Sequence, residues 1–136
     1  MIIKEYRSIY IDKAEEVCNY VKKKIDNNWI DTGEIYVGDM VDYDEPIIII
    51  PTFIEVADSN SRYADTDEVV INQIEFVLTA DVESDKYSIV CVPDDWFGWN
   101  IDIAANTSLD TAIHKLNTFL SNLVDNLENY DLYIVD

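Results

Sequence analysis

VVINQIEFVLTADVESDKYSIVCV, residues 69–92, holds two apolar runs rich in β-branched residues on either side of a short polar break. Val69–Val82 reads as a long strand, Glu83-Ser84-Asp85 as a tight turn, and Tyr87–Val92 as the returning strand. Two such runs joined by so few residues form an antiparallel hairpin. Toward the C-terminus, Pro93-Asp94-Asp95-Trp96-Phe97-Gly98 is a loop and Trp99–Ala104 returns as another strand. Ser108 stands where a helix N-cap belongs. After it Leu109, Ala112, Ile113, Leu116, Leu120, Leu123, Val124 and Leu127 fill one helical face to about Glu128, and Leu132–Val135 is a final strand.

Toward the N-terminus, Asp58 to Asp67 is polar and turn-like, and Pro46 opens the most apolar run of the chain, Ile47-Ile48-Ile49-Ile50. Pro51 breaks it and Phe53-Ile54 resumes it, which predicts a strand buried on both faces with Pro51 at a bulge or edge. Ile35–Val37 is a short strand. Asp12 with Glu15 has the form of a capping box, and Ala14, Val17, Cys18, Val21 and Ile25 recur at helical spacing, so a helix is expected over Asp12–Asn27. Its last turns carry Lys22, Lys23 and Lys24, where cations suit the helix dipole. Ile2 to Ile11, short, β-branched and aromatic, reads as a first strand or an irregular lead-in. The order βαβββββαβ predicts an α+β fold, a largely antiparallel sheet with two helices packed on it. At 136 residues the chain fits one domain, 1–136.

Hydrophobic residues make up 49% of the chain, enough for a real core, and no apolar run approaches the roughly 18 residues that span a bilayer. Met1-Ile2-Ile3-Lys4-Glu5 lacks the order of a secretory signal, so an intracellular, cytoplasmic protein is expected. Cys18 and Cys91 sit among apolar neighbours and are expected as buried free thiols. The formal net charge is −19. That excludes ordinary binding to nucleic acid or to anionic membranes, both of which need Lys and Arg to neutralise phosphate. The charge is also uneven. Residues 1–24 carry six of the nine basic residues against four acids, whereas from Ile25 onward three basic residues face 24 acids. Solubility alone calls for a net charge of roughly 2–8 on a small domain, and the Ile-, Asn- and Tyr-rich, glycine-poor composition is unlike a salt-adapted one.

No catalytic constellation is legible. The lone histidine, His114, lies in the second helix and reads as a surface or boundary residue; there is no glycine-rich phosphate loop and no nucleophile elbow. Two thiols and one imidazole do not make a zinc site, and the acidic clusters lack EF-hand order. The chain is therefore expected to be a binding protein rather than an enzyme, with no cofactor and no metal. The candidate partner-binding residues are Asp31, Glu34, Asp39, Asp42, Asp44 and Glu45, then Asp65, Asp67 and Glu68, and the loop acids Asp94 and Asp95 beside Trp96 and Phe97. Aromatics beside acids suit an arginine on a partner, although such aromatics also serve as plugs under a sheet, the reading that fits Trp99.

From Ile74 to about residue 135 the layout resembles the HicB-type antitoxins. The matching stretches are Tyr87-Ser88-Ile89-Val90-Cys91-Val92-Pro93-Asp94 and Thr107-Ser108-Leu109-Asp110-Thr111-Ala112, with Ala105-Asn106 where the family has Gly-Asp. The resemblance implies a hairpin, a third strand and a capped helix, and an antitoxin that blocks a toxin. The charge points first to another expectation: an acidic inhibitor whose carboxylates stand in for phosphates on the basic surface of a nucleic-acid-binding enzyme, as in anti-restriction or anti-CRISPR proteins. An antitoxin or immunity protein and a phage structural or adaptor protein are the alternatives, and homo-oligomers are compatible with the sequence. Surface scaling gives about 250 Å² per carboxylate, against roughly 100 Å² per phosphate on B-DNA. Mimicry therefore requires the acids to gather on one face.

Overall fold

The computed structural model describes residues 3–25, 27–38, 47–58, 71–81, 84–92 and 100–135. Helix α1 (Ile3–Lys24) leads into a 3-10 turn at Thr32–Glu34, and five strands follow: β1 (Tyr36–Val37), β2 (Ile47–Asp58), β3 (Ile71–Asp81), β4 (Lys86–Val92) and β5 (Ile101–Thr107). Helices α2 (Leu109–Ser121) and α3 (Leu123–Glu128) and strand β6 (Leu132–Ile134) complete the chain. The fold is α+β, with every strand pair antiparallel and the sheet ordered β1-β2-β3-β4-β5, β6 pairing with β2.

The expected strand or lead-in at Ile2–Ile11 is helical from Ile3, and Asp12 lies inside α1 instead of capping it. The spacing explains the difference. Ile3, Tyr6, Tyr10, Ala14, Val17, Val21 and Ile25 recur at intervals of three and four, and that period outweighs the local β-branched preference. The helix also ends earlier than Asn27, with the Ile25 N–H donating back to the Val21 carbonyl. Beyond it, the Asn27 side-chain oxygen accepts from the Trp29 N–H at 2.8 Å, the turn chemistry that asparagine supplies.

The expected hairpin forms, β3 and β4 pairing from Glu75 opposite Val92 through to Asp81 opposite Lys86. Asp85 takes φ 53° in its turn, a region that Asp tolerates better than most residues. Strand β2 is central and both its edges are occupied. Strand β3 lies along one edge. The other is covered in three pieces: β1, a bridge of Ile30 to Thr52, and β6. Pro51 marks a bulge, as expected, for the β2–β3 register shifts between Pro51 and Glu55. Ile74 has no Cα partner there, and Thr52 repairs the gap. Its hydroxyl donates to the Ile74 carbonyl and accepts from the Ile54 N–H, while the Gln73 side-chain amide donates to the Thr52 carbonyl.

One face of the sheet is fully buried. Ile48, Ile50, Ile54, Ile74, Phe76, Leu78 and Ile89 lie there with no exposed surface. Against them pack Ala14, Val17, Cys18 and Val21 of α1 and Ala112, Ile113, Leu116 and Leu120 of α2. Phe119 meets Phe76 edge to face at 5.9 Å, a favoured aromatic geometry. Ser108 caps α2 as expected, accepting from the Thr111 N–H at 3.2 Å.

The second helix does not run unbroken to Glu128. Asn122, at φ −119° and ψ 36°, divides it into α2 and α3. The Asn126 side chain donates to the Phe119 carbonyl at 2.9 Å, satisfying an oxygen near the break. The break shifts the helical phase, so Leu123 and Leu127 remain buried while Val124, expected on the core face, is 57% exposed. Cys18 and Cys91 are buried free thiols, as the sequence suggested. No helix among the described residues is long and apolar enough to cross a membrane.

Candidate partner-binding surface

Two of the candidate acids are described, and they sit together. The Asp31 N–H donates to the Pro51 carbonyl at 3.0 Å, and the Asp31 carbonyl accepts from the Glu34 N–H at 3.0 Å. The 3-10 turn bearing Glu34 is thereby tied to the outer edge of β2, with Glu34 exposed and Asp31 half-buried. Asp39, Asp42, Asp44, Glu45, Asp65, Asp67, Glu68, Asp94, Asp95, Trp96 and Phe97 lie outside the described residues, as does Trp99.

The basic counterpart is the C-terminal end of α1. Lys22, Lys23 and Lys24 are all exposed in its last turn, and the Lys24 ammonium stands 5.6 Å from the centre of the Tyr20 ring, within cation–π range. A groove of about 340 Å³ runs between α1 and the start of α2, lined by Lys13, Glu16, Tyr20, Lys23, Tyr87 and Leu109, among others. Its walls carry both signs of charge. The Tyr20 hydroxyl donates to the Asp110 carboxylate and so joins α1 to α2; that bond holds the phenol above its ordinary pKa. The Tyr87 hydroxyl donates to Asp85 at 2.7 Å, and burial first, then this bond, raises its pKa as well.

Both thiols are shifted away from the thiolate form. Burial pushes Cys91 up to about 12, and burial also raises Cys18, whose thiol donates to the Ile35 carbonyl at 3.8 Å. A reactive cysteine needs the opposite shift. His114 is exposed, as expected for a surface residue. Among the described residues no group of three or more His, Cys, Asp or Glu side chains is placed to hold a metal ion.

The sequence reading missed the second face of the sheet. The Ile47–Ile50 run was expected to be buried on both sides, but only Ile48 and Ile50 are buried; Ile47 and Ile49 are half-exposed. The helices that form the core pack on the other face. In register on the open face, Tyr36 lies opposite Ile49, Ile49 opposite Val77, and Val77 opposite Val90. Tyr36 is 52% and Phe53 60% exposed. Glu75 sits among them, flanked by Pro51 and Val92 on the neighbouring strands, and burial raises its carboxyl above its ordinary pKa. The signal was present in the sequence: near-continuous apolar strands with only two helices to cover them leave one face without a helix among the described residues.

Compared with protein-family models, with curated proteins and with solved structures, the chain matches none of them.

Proposed function

We propose that this protein is an acidic inhibitor that occupies the basic nucleic-acid-binding surface of a partner enzyme, in the manner of anti-restriction or anti-CRISPR proteins. The observation that carries the reading is the charge: 24 acids against three basic residues from Ile25 onward. Such a load destabilises the folded state through self-repulsion, and complementarity to a strongly positive surface gives it a use. The accessible surface of 8377 Å² shared among 28 carboxylates comes to about 300 Å² each. That is sparser than the roughly 100 Å² per phosphate of B-DNA, so the reading requires local concentration of acids. The acidic stretch from Asp31 to Glu45, whose first two acids are anchored at the β2 edge, is the leading candidate for that concentration.

A second reading, an antitoxin that blocks its toxin, is favoured by the hairpin–strand–helix order and by the Ser108 cap within the matching stretch. One experiment separates the two. The protein is immobilised, partners are captured from lysate of its host and eluted with rising salt, and each captured partner is tested for nucleic-acid binding with and without the protein. An inhibitor of the proposed kind releases its partner at high salt and displaces nucleic acid from it. Capture of a partner whose nucleic-acid binding is untouched sinks the first reading.

A further inference from the structure

We propose that the open face of the sheet docks a basic amphipathic helix of the protein partner, its apolar stripe lying across the row Tyr36, Ile49, Val77 and Val90. This rests on the reading of the chain as a binder of a basic partner and adds where and how the contact is made.

Three observations lead there. The first is apolar continuity. The four residues are Cα partners on consecutive strands, extended by Ile47 and Phe53, and none of them belongs to the core cluster formed by the described residues. At about 4.8 Å between strands the row is roughly 14 Å long, wide enough for a helix of about 10–12 Å diameter. The second is close packing at the end of the row. Gly38 continues this face beyond Tyr36, its N–H donating to the Ile47 carbonyl at 2.7 Å. A Cβ there would meet Ile49 Cγ1 at 3.1 Å and Ile47 Cγ2 at 3.3 Å, so the two isoleucine side chains lie against the glycine backbone and carry the apolar surface over it.

The third observation is charge, and it chooses the occupant. By strand alternation the described charged residues on this face are Glu55, Glu75, Asp81, Asp102 and Lys86, and Lys86 stands opposite Asp81 at the hairpin end. Among the described residues, the apolar row is thus bordered by four acids and one lysine. A second copy of the chain would set Glu75 and Asp102 against the same residues, and −19 against −19. A helix with leucine-like residues on one side and Lys or Arg flanking them meets both features, the helix-in-groove mode of recognition.

The probe is a fluorescent 18-residue peptide with Leu at helical spacing and Lys elsewhere. Its control is a scrambled peptide of the same composition with no apolar face. Wild-type protein is expected to bind the helical peptide at least tenfold more tightly than the scrambled one. Tyr36→Ser with Phe53→Ser, both at exposed positions, is expected to weaken that binding at least tenfold with the melting temperature nearly unchanged. Val77→Thr, which keeps strand preference, is expected to weaken it severalfold, and Val124→Ser on α3 not at all. Equal binding of the two peptides, or full binding by the double variant, overturns the proposal. So does a wild-type dimer in sedimentation that the double variant converts to monomer, since a second copy would then fill the face. The broader reading has its own readout. If both peptides bind equally and the partner's nucleic acid is still displaced, this surface is wrong and the inhibitor reading stands. If the face binds the helix but nucleic acid is never displaced, this surface stands and the inhibitor reading falls.

Discussion

Replacing Thr52 with Val removes one oxygen from the interior and leaves the shape of the side chain nearly unchanged. Thr52 is 1% exposed and stands inside the bulge that Pro51 introduces. Its hydroxyl serves two backbone groups that have no ladder partner there, the Ile74 carbonyl and the Ile54 N–H, the latter at 3.2 Å. A buried polar group left without a partner costs about 1–3 kcal/mol. Two such groups, offset in part by the added methyl, put the loss near 2–4 kcal/mol, or a fall of about 8–15 °C in melting temperature for a domain of this size. Thr52→Ser keeps the hydroxyl and loses a methyl, at about 1 kcal/mol. Urea unfolding followed by tryptophan fluorescence measures both variants; a shifted midpoint with unchanged slope assigns the loss to the native state. If Thr52→Val lies within about 0.5 kcal/mol of wild type, or Thr52→Ser is equally damaging, the hydroxyl does not hold the bulge.

Val124→Ser is expected to change stability by less than about 0.5 kcal/mol, and Leu123→Ala to cost about 2–5 kcal/mol; a reversed order in thermal melts would place the helix break elsewhere. Cys91, buried with its thiol held near pKa 12, is expected to react with a thiol reagent only at the rate of unfolding, and rapid labelling of the native protein would contradict its burial. The melting temperature is expected to rise with moderate salt, which screens carboxylate repulsion, and with acidification from pH 7 toward 5. Glu75 contributes to the pH effect: its folded pKa lies above the ordinary 4.5. Its contribution is therefore full below that value and lost as pH rises through the folded one. A melting temperature that is flat in salt, or that falls between pH 7 and 5, would show the charges already compensated.

Period and punctuation made most of the fold legible. The hairpin was readable because its two strands are joined by few residues and carry apolar side chains at every core position. Ser108 was readable as a cap because a helix start has a local chemical requirement. Pro51 was readable as a bulge because proline cannot donate to the ladder. The misreadings arose where local preference and tertiary pattern disagreed. Ile2–Ile11 looked like a strand residue by residue, yet its apolar spacing is that of α1. Val124 fits the helical stripe until Asn122 shifts the phase, and a single asparagine gives little sign that it will break a helix. The Ile47–Ile50 run shows apolarity on both faces, but a run of isoleucine is silent on whether anything covers each face. The candidate surface was less legible for the same reason: carboxylates carry no period, so their clustering depends on how strands and loops are assembled.

The most direct test of the inhibitor reading changes Asp39, Asp42, Asp44 and Glu45 together to Asn or Gln, removing four charges at nearly constant size. Competition between the protein and nucleic acid for the captured partner is then measured for wild type and variant across a salt series. Wild type is expected to displace nucleic acid, less effectively as salt rises. The variant is expected to fold at least as stably and to inhibit at least tenfold less well, a demand of about 1.4 kcal/mol on four charges. Equal inhibition by variant and wild type at every salt concentration would contradict the phosphate-surrogate role of this segment, and a wild-type complex that still binds nucleic acid would contradict the account as a whole.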